Sequence, residues 1–190
     1  MLIENIYEHM SVMESLKKLN GKVEQIGGVL ADAINNNSKL LICGNGGSAA
    51  DAQHFSSELT GRFIEDRIPL PALALTTDSS ALTCIGNDYS FDEIFSRQVR
   101  GLGRSGDILL LISTSGNSRN LLSAASAAKD NKLTVISLLG KDGGALKQVS
   151  DFNLIVESQS TARIQEAHIV LIHTLCGLIE KKLLDDRIEI

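Results

Sequence analysis

Cysteine is scarce in this chain. Its 190 residues hold three, Cys43, Cys84 and Cys176, scattered among apolar neighbours, with no CxxC pair and an odd count. No disulfide framework is available, and three buried, reduced thiols are expected. Positive charge is also in short supply. Eighteen Lys and Arg against 23 Asp and Glu give a net charge of −5, so the whole molecule has no attraction for nucleic acid or an anionic membrane. A local loop can still hold a small phosphate. Long apolar runs are missing too. The longest, Ile169 to Ile179, is too short to span a bilayer and contains His173. No basic-then-apolar leader opens the sequence, and no repeat, linker or low-complexity stretch interrupts it. These absences lead to the expectation of a cytoplasmic protein without nucleic-acid or membrane partners. Its 43% hydrophobic and 22% charged residues suit a single soluble domain, residues 1–190, with 1–37 as a helical extension.

The first forty residues lack strand alternation. Leu2, Ile6, Met10, Met13, Leu16 and Leu19 recur at helical spacing, as do Val23, Ile26, Leu30 and Ile34. Two helices are predicted, broken near Asn20-Gly21 and stopped by Asn35-Asn36-Asn37. Short apolar runs then alternate with helical stretches. Strands are predicted at Leu40–Cys43, Leu70–Thr76, Ile108–Ser113, Leu133–Leu138 and Phe152–Val156. Helices are predicted near 47–61, 91–102, 118–129 and 143–150, with a long one over about 162–184. Such alternation implies an α/β fold with a parallel sheet covered on both faces. The last helix is apolar nearly all round from Ala167 to Ile179, and packing between subunits is the expected cause. Its polar residues His168, His173 and Thr174 then need partners.

Two segments carry the chemistry. The first is Gly44-Asn45-Gly46-Gly47-Ser48-Ala49-Ala50-Asp51-Ala52-Gln53-His54, directly after a strand. Its glycines permit a tight turn and close backbone approach to a ligand. The helix after them offers free N–H groups to an anion or a sugar hydroxyl. One turn apart on that helix, His54 and Glu58 share a face and can address one ligand or one metal. Glu58 and Arg62 have the same spacing, so a solvated salt-bridge row is the competing reading. The turn also matches a G-x-G-x-x-A dinucleotide fingerprint. Such a site requires an acidic residue at the end of the next strand, about twenty residues on. The nearest candidate, Asp78, lies farther along, and no Lys-Ser/Thr closes a P-loop.

The second segment is Ser113-Thr114-Ser115-Gly116-Asn117-Ser118, at the carboxyl end of a strand and the start of a helix. Hydroxyls together with helix N-terminal N–H groups are what a phosphate monoester needs. The alternative is that Ser118 merely caps its helix. Gln165 and His173 lie on the last helix, with α-carbons roughly 12 Å apart along its axis, a wide span for one small metal. A hydrogen-bonded core histidine is the plainer reading of His173.

Together with Asn87-Asp88 and Ala162-Arg163-Ile164-Gln165-Glu166-Ala167-His168, these segments resemble sugar isomerase (SIS) domains, and within them the bacterial phosphoheptose isomerases. The likeness runs over essentially the whole chain. It implies a three-layer α/β/α sandwich with a five-stranded parallel sheet, assembled as a homo-oligomer, usually a tetramer, with active sites between subunits. It implies substrate contacts from Asn45, Gly46, Gly47, Glu58, Asn87, Asp88, Ser113, Thr114, Ser115, Ser118 and Gln165. It implies a zinc site from His54, Glu58, Gln165 and His173, no nucleotide cofactor, and Glu58 with His173 as the catalytic acid–base pair. The implied reaction converts sedoheptulose 7-phosphate to D-glycero-D-manno-heptose 7-phosphate for lipopolysaccharide or a related glycan. A non-catalytic relative that binds the replication initiator or senses phosphosugars would keep the loops without the pair. An isomerase of another sugar phosphate would keep both.

Overall fold

The computed structural model describes residues 1–188, and the side chains of the last helix as far as Leu184. Helix α1 (Leu2–Ser15) runs through a 3-10 turn (Leu16–Leu19) into α2 (Asn20–Asn35). The break therefore lies one turn before Asn20-Gly21. Strand β1 (Leu40–Gly44) leads to α3 (Gly47–Thr60), and β2 (Ala72–Ala74) to α4 (Ser79–Asp88). A 3-10 turn (Phe91–Glu93) and α5 (Ser96–Leu102) precede β3 (Ile108–Ser113) and α6 (Arg119–Asp130). Then come β4 (Thr134–Gly140), α7 (Leu146–Val149), β5 (Phe152–Val156) and α8 (Thr161–Ile188).

The strands form one parallel sheet in the order β2-β1-β3-β4-β5. Period-two alternation divides the core between its faces. Leu40, Ile42, Leu110, Ile112 and Leu138 face α2, α3 and α8, while Leu41, Cys43, Leu109, Leu111 and Leu139 face α4 to α7. The result is the expected three-layer α/β/α sandwich. Val23, Ile26, Leu30 and Ile34 bury α2 in one layer, whereas α1 buries no residue.

The structure departs from the sequence pattern at several places. The helix predicted near 91–102 is split in two, and the one near 143–150 shrinks to Leu146–Val149. Strand β2 is only three residues long because Pro71, which has no N–H to donate, immediately precedes it. Helix α4, whose apolar residues span little more than one turn, is absent from the predicted elements. Asp78 caps it by accepting from the Ala81 N–H at 2.9 Å, so this carboxylate has a structural task. Cys84, on the outer face of α4, is exposed rather than buried like Cys43 and Cys176. Finally, the apolar stretch of α8 is buried by its own chain. Ala167, His168, Leu171, Ile172, Leu175, Cys176 and Ile179 are inaccessible without any partner subunit. His168 meets half of its polar requirement: Nε2 lies 3.1 Å from the Leu139 carbonyl, while Nδ1 is buried without a partner.

Candidate active site

Ligand-sized crevices open where neighbouring parallel strands send their connections to opposite sides of a sheet. Here that point lies between β1 and β3, whose carboxyl ends carry the glycine turn and the Ser113–Ser118 loop. Asn45 and Asn120 join the two across the crevice. Each side-chain amide donates to the other's oxygen, at 3.0 and 2.8 Å.

The Ser113–Ser118 loop is held in shape by its own polar groups. The Ser113 hydroxyl accepts from the Gly116 N–H at 3.0 Å, and the Ser115 hydroxyl from the Asn117 N–H at 3.2 Å. The Asn117 carboxamide oxygen accepts from the Ala145 N–H at 3.0 Å, tying the loop to the start of α7. Gly116 has φ +66° and lies against the Gly143 carbonyl, where a Cβ would sit 2.0 Å from the oxygen. Only glycine fits there. Ser118 occupies the N-cap of α6, yet its side chain makes no capping hydrogen bond. The capping alternative is therefore not realised. Half-buried Thr114, Ser115 and Ser118 remain beside the helix start.

On α3, one turn separates His54 and Glu58, and α8 brings His173 to them. His54 Nε2 lies 2.8 Å from His173 Nε2 and 3.4 Å from the nearer Glu58 oxygen. The two rings meet edge to face at 5.0 Å, and Phe63 stacks on His173 at 5.5 Å. Arg62 turns away to the Ile64 carbonyl, so Glu58 stands with the histidines and not in a salt-bridge row. Donor atoms of His54, Glu58 and His173 all lie within 4.8 Å of one another. Tetrahedral zinc with bonds of about 2.0–2.1 Å needs ligand atoms about 3.3 Å apart. Small side-chain adjustments reach that spacing, so the donor set fits such an ion.

The remaining candidates divide. Gln165 rests its amide on Gly47, at the N-terminus of α3. A Cβ at Gly47 would come within 2.2 Å of the Gln165 Nε2. Among the described residues, no hydrogen bond links that amide to His54, Glu58 or His173. Asn87 and Asp88 lie exposed at the end of α4. Asn87 donates to Asp88 at 2.8 Å, and the Cys84 thiol to Asp88 at 3.5 Å. No hydrogen bond among the described residues ties them to either loop. Two residues near the site were not singled out by sequence. Asp51, one turn before His54, is 7% exposed, and its Oδ2 has no partner. Burial pushes its carboxyl up to about 6, against the pull of His54. Its i,i+3 spacing to His54 was the available signal. Phe63 had no local signal, since its contact lies 110 residues along the chain.

Residues 6–140 match the model of the SIS domain. A phosphoheptose isomerase of Campylobacter concisus is 53% identical over 181 residues, covering 95% of this chain and 96% of the relative. The chain belongs to the phosphoheptose isomerase family of SIS domains. A member from Geotalea daltonii is 50% identical over 183 residues, covering 96% of this chain and 95% of its own. The solved phosphoheptose isomerase of Neisseria gonorrhoeae superposes with a TM-score of 0.89 at 47% identity, covering 95% and 97% of the two chains. That of Francisella tularensis gives 0.89 at 39% identity, covering 95% and 96%. Family membership thus extends over the full sandwich, including α8, which lies beyond the residues matched by the domain model.

Proposed function

We infer that this chain is an aldose–ketose isomerase that converts sedoheptulose 7-phosphate to D-glycero-D-manno-heptose 7-phosphate. The observation that carries the reading is the convergence of His54, Glu58 and His173 within 4.8 Å. Family membership supports the substrate. The reaction moves a proton from C1 to C2 of the ketose through an enediol. The C2 carbonyl oxygen gains a proton and the C1 hydroxyl loses one. Glu58 is the carboxylate that takes and returns the carbon-bound proton. His173 exchanges protons with the oxygens, a role imidazole suits near neutral pH. The hydroxyls of Ser113, Thr114, Ser115 and Ser118, with the N-terminus of α6, hold the phosphate. Remote anchoring of that kind fixes the reacting carbons in register. Asn45, Gly46, Gly47 and Gln165 line the path between the two ends.

His54, Glu58 and His173, with Gln165 as fourth donor, are the residues that would hold zinc. A bound divalent ion there supplies Lewis acidity toward the sugar carbonyl and hydroxyl oxygens. A homo-oligomer, most simply a tetramer, completes the proposal. Helix α1 buries no residue while Leu2, Ile3, Ile6, Tyr7 and Met10 stay exposed, as a helix awaiting a second copy would. Asn87 and Asp88 then serve the site of a neighbouring subunit. The reading further takes residues 1–190 as one domain working in the cytoplasm and feeding heptose to lipopolysaccharide or a related glycan.

The test is substitution of the proton-transfer groups. Glu58→Gln and His173→Gln should each lower kcat by about a hundredfold to ten-thousandfold while binding of the phosphosugar stays measurable by calorimetry. Near-parental turnover in either variant refutes that residue's catalytic role.

A further inference from the structure

Behind the site, on the side away from the phosphate loop, lies a buried ion pair. Glu180 of α8 and Arg67, in the segment after α3, have side chains 4% and 3% exposed, with Nε 3.0 Å from Oε1. Glu180 also accepts the backbone N–H groups of Phe63 at 3.1 Å, Ile64 at 3.1 Å and Glu65 at 3.2 Å. Burial alone would raise its pKa. The three N–H groups and the guanidinium outweigh that and hold it below the usual carboxylate range. Arg67 uses its other nitrogens on the end of α3. Nη2 donates to the Glu58 carbonyl at 2.7 Å and Nη1 to that of Leu59 at 2.8 Å. These carbonyls belong to the last turn of a helix, where no intrahelical partner exists.

The pair thus grips both halves of the reactive cluster. It caps the turn of α3 that carries Glu58, and it anchors to α8, two turns beyond His173. The loop it pins delivers Phe63 to the face of the His173 ring, 5.5 Å between centroids. Gly177, one turn beyond His173, faces the same ring at ordinary contact distance. A Cβ there would lie 3.8 Å from the Phe63 edge. A buried ion pair is a poor source of net stability compared with apolar packing, and its best-attested use is to fix register. Here the register fixed is that of α3 against α8.

We propose that Glu180 and Arg67 are positioning residues that lock α3 to α8 and seat Phe63 on His173, thereby holding Glu58 and His173 at working separation. The proposal rests on the assignment of those two residues to proton transfer. Partners that orient site residues from behind typically change activity or metal affinity by about tenfold to a hundredfold when replaced. Full-length Glu180→Gln, Phe63→Leu and Phe63→Tyr are compared with the parent, and Glu58→Gln serves as control. Thermal melts establish which variants are folded. In folded Glu180→Gln and Phe63→Leu, kcat should fall by about tenfold or more while KM stays within about threefold, because the phosphate loop is untouched. Zinc affinity, read by competition with a chelating dye, should weaken about tenfold in the same variants. Phe63→Tyr keeps the ring and should recover most of kcat. If Glu180→Gln does not fold, Phe63→Leu decides alone. Lower melting temperature with parental kcat and zinc affinity would overturn the proposal, since a purely structural clamp behaves that way. A Glu58→Gln control that stays active would instead overturn the catalytic assignment, and the zinc measurement would still judge the clamp.

Discussion

Gly47→Ala should separate stability from activity in this fold. Gly47 opens α3 with ordinary helical backbone, so alanine is tolerated by the main chain itself. Its Cβ, however, would stand 2.2 Å from Nε2 and 2.9 Å from Cδ of Gln165. Ordinary contact is about 3.5 Å, so the amide must retreat by about 1.3 Å. The end of a flexible side chain yields at about 0.5–1.5 kcal/mol. Removing glycine from a helix returns about 0.5–1 kcal/mol. The two nearly cancel, and the melting temperature should move by no more than about 2–4 °C. Activity has no such compensation. A displacement of about 1 Å at a positioning group can lower turnover by about a hundredfold. Isomerisation of sedoheptulose 7-phosphate, followed by NMR, should therefore fall on that scale in a variant that melts normally. The same substitution in a Gln165→Ala background should add little, because the group it displaces is already gone. Parental kcat/KM in Gly47→Ala would refute the reasoning. So would an undiminished effect of Gly47→Ala when Gln165 is absent.

At Gly116 the obstacle is main chain, not a side-chain tip: Gly116→Ala places a Cβ 2.0 Å from the Gly143 carbonyl at φ +66°. It should cost about 2 kcal/mol or more and raise KM for the phosphosugar, and a variant with parental melting and KM would contradict the loop assignment. His168 should shape the acid limb of stability. Its Nε2 donates to the Leu139 carbonyl, its Nδ1 is buried without a partner, and burial lowers its pKa to about 4. A depressed folded pKa means the contribution is complete above about 6.5. It is lost as pH falls toward 4, at up to about 1.4 kcal/mol per pH unit. Denaturant melts should show a shallower acid limb for His168→Gln than for the parent, and identical slopes would refute the linkage.

What the sequence disclosed was what is local. The glycine turn, the hydroxyl-rich loop and the i,i+4 pair His54–Glu58 each lie within one strand-to-helix passage, so composition and spacing carried them. Five strands followed from apolar runs, and only the Pro-flanked β2 came out shorter than its run. Helix α4 gives little periodic signal because its apolar stripe, Ala81, Leu82, Cys84 and Ile85, spans little more than one turn. The meeting of His54 with His173 spans 119 residues and came from family resemblance, not from periodicity. Periodicity made Gln165 look too far from His173 for comfort, and the structure rests its amide on Gly47. Glu180 lies outside both chemistry-bearing segments of the sequence. Nothing in its neighbourhood announced that four donors would converge on it from residues 113 to 117 positions away.

The chain order of the elements has a consequence for how the enzyme comes into being. All five strands, both binding loops, His54 and Glu58 precede Ser160, whereas Gln165, His173 and Glu180 all belong to α8, the last element described. Domains emerging from the ribosome fold from the N-terminal side at about 5–20 residues per second. A nascent chain can therefore lay down its sheet and both loops seconds before His173 joins His54 and Glu58. Docking of α8 closes one face of the hydrophobic core and at the same moment completes the cluster of His54, Glu58 and His173. A chain that fails to bury that helix therefore leaves its apolar stripe exposed and its His54–Glu58–His173 cluster unassembled, so one failure of packing marks both.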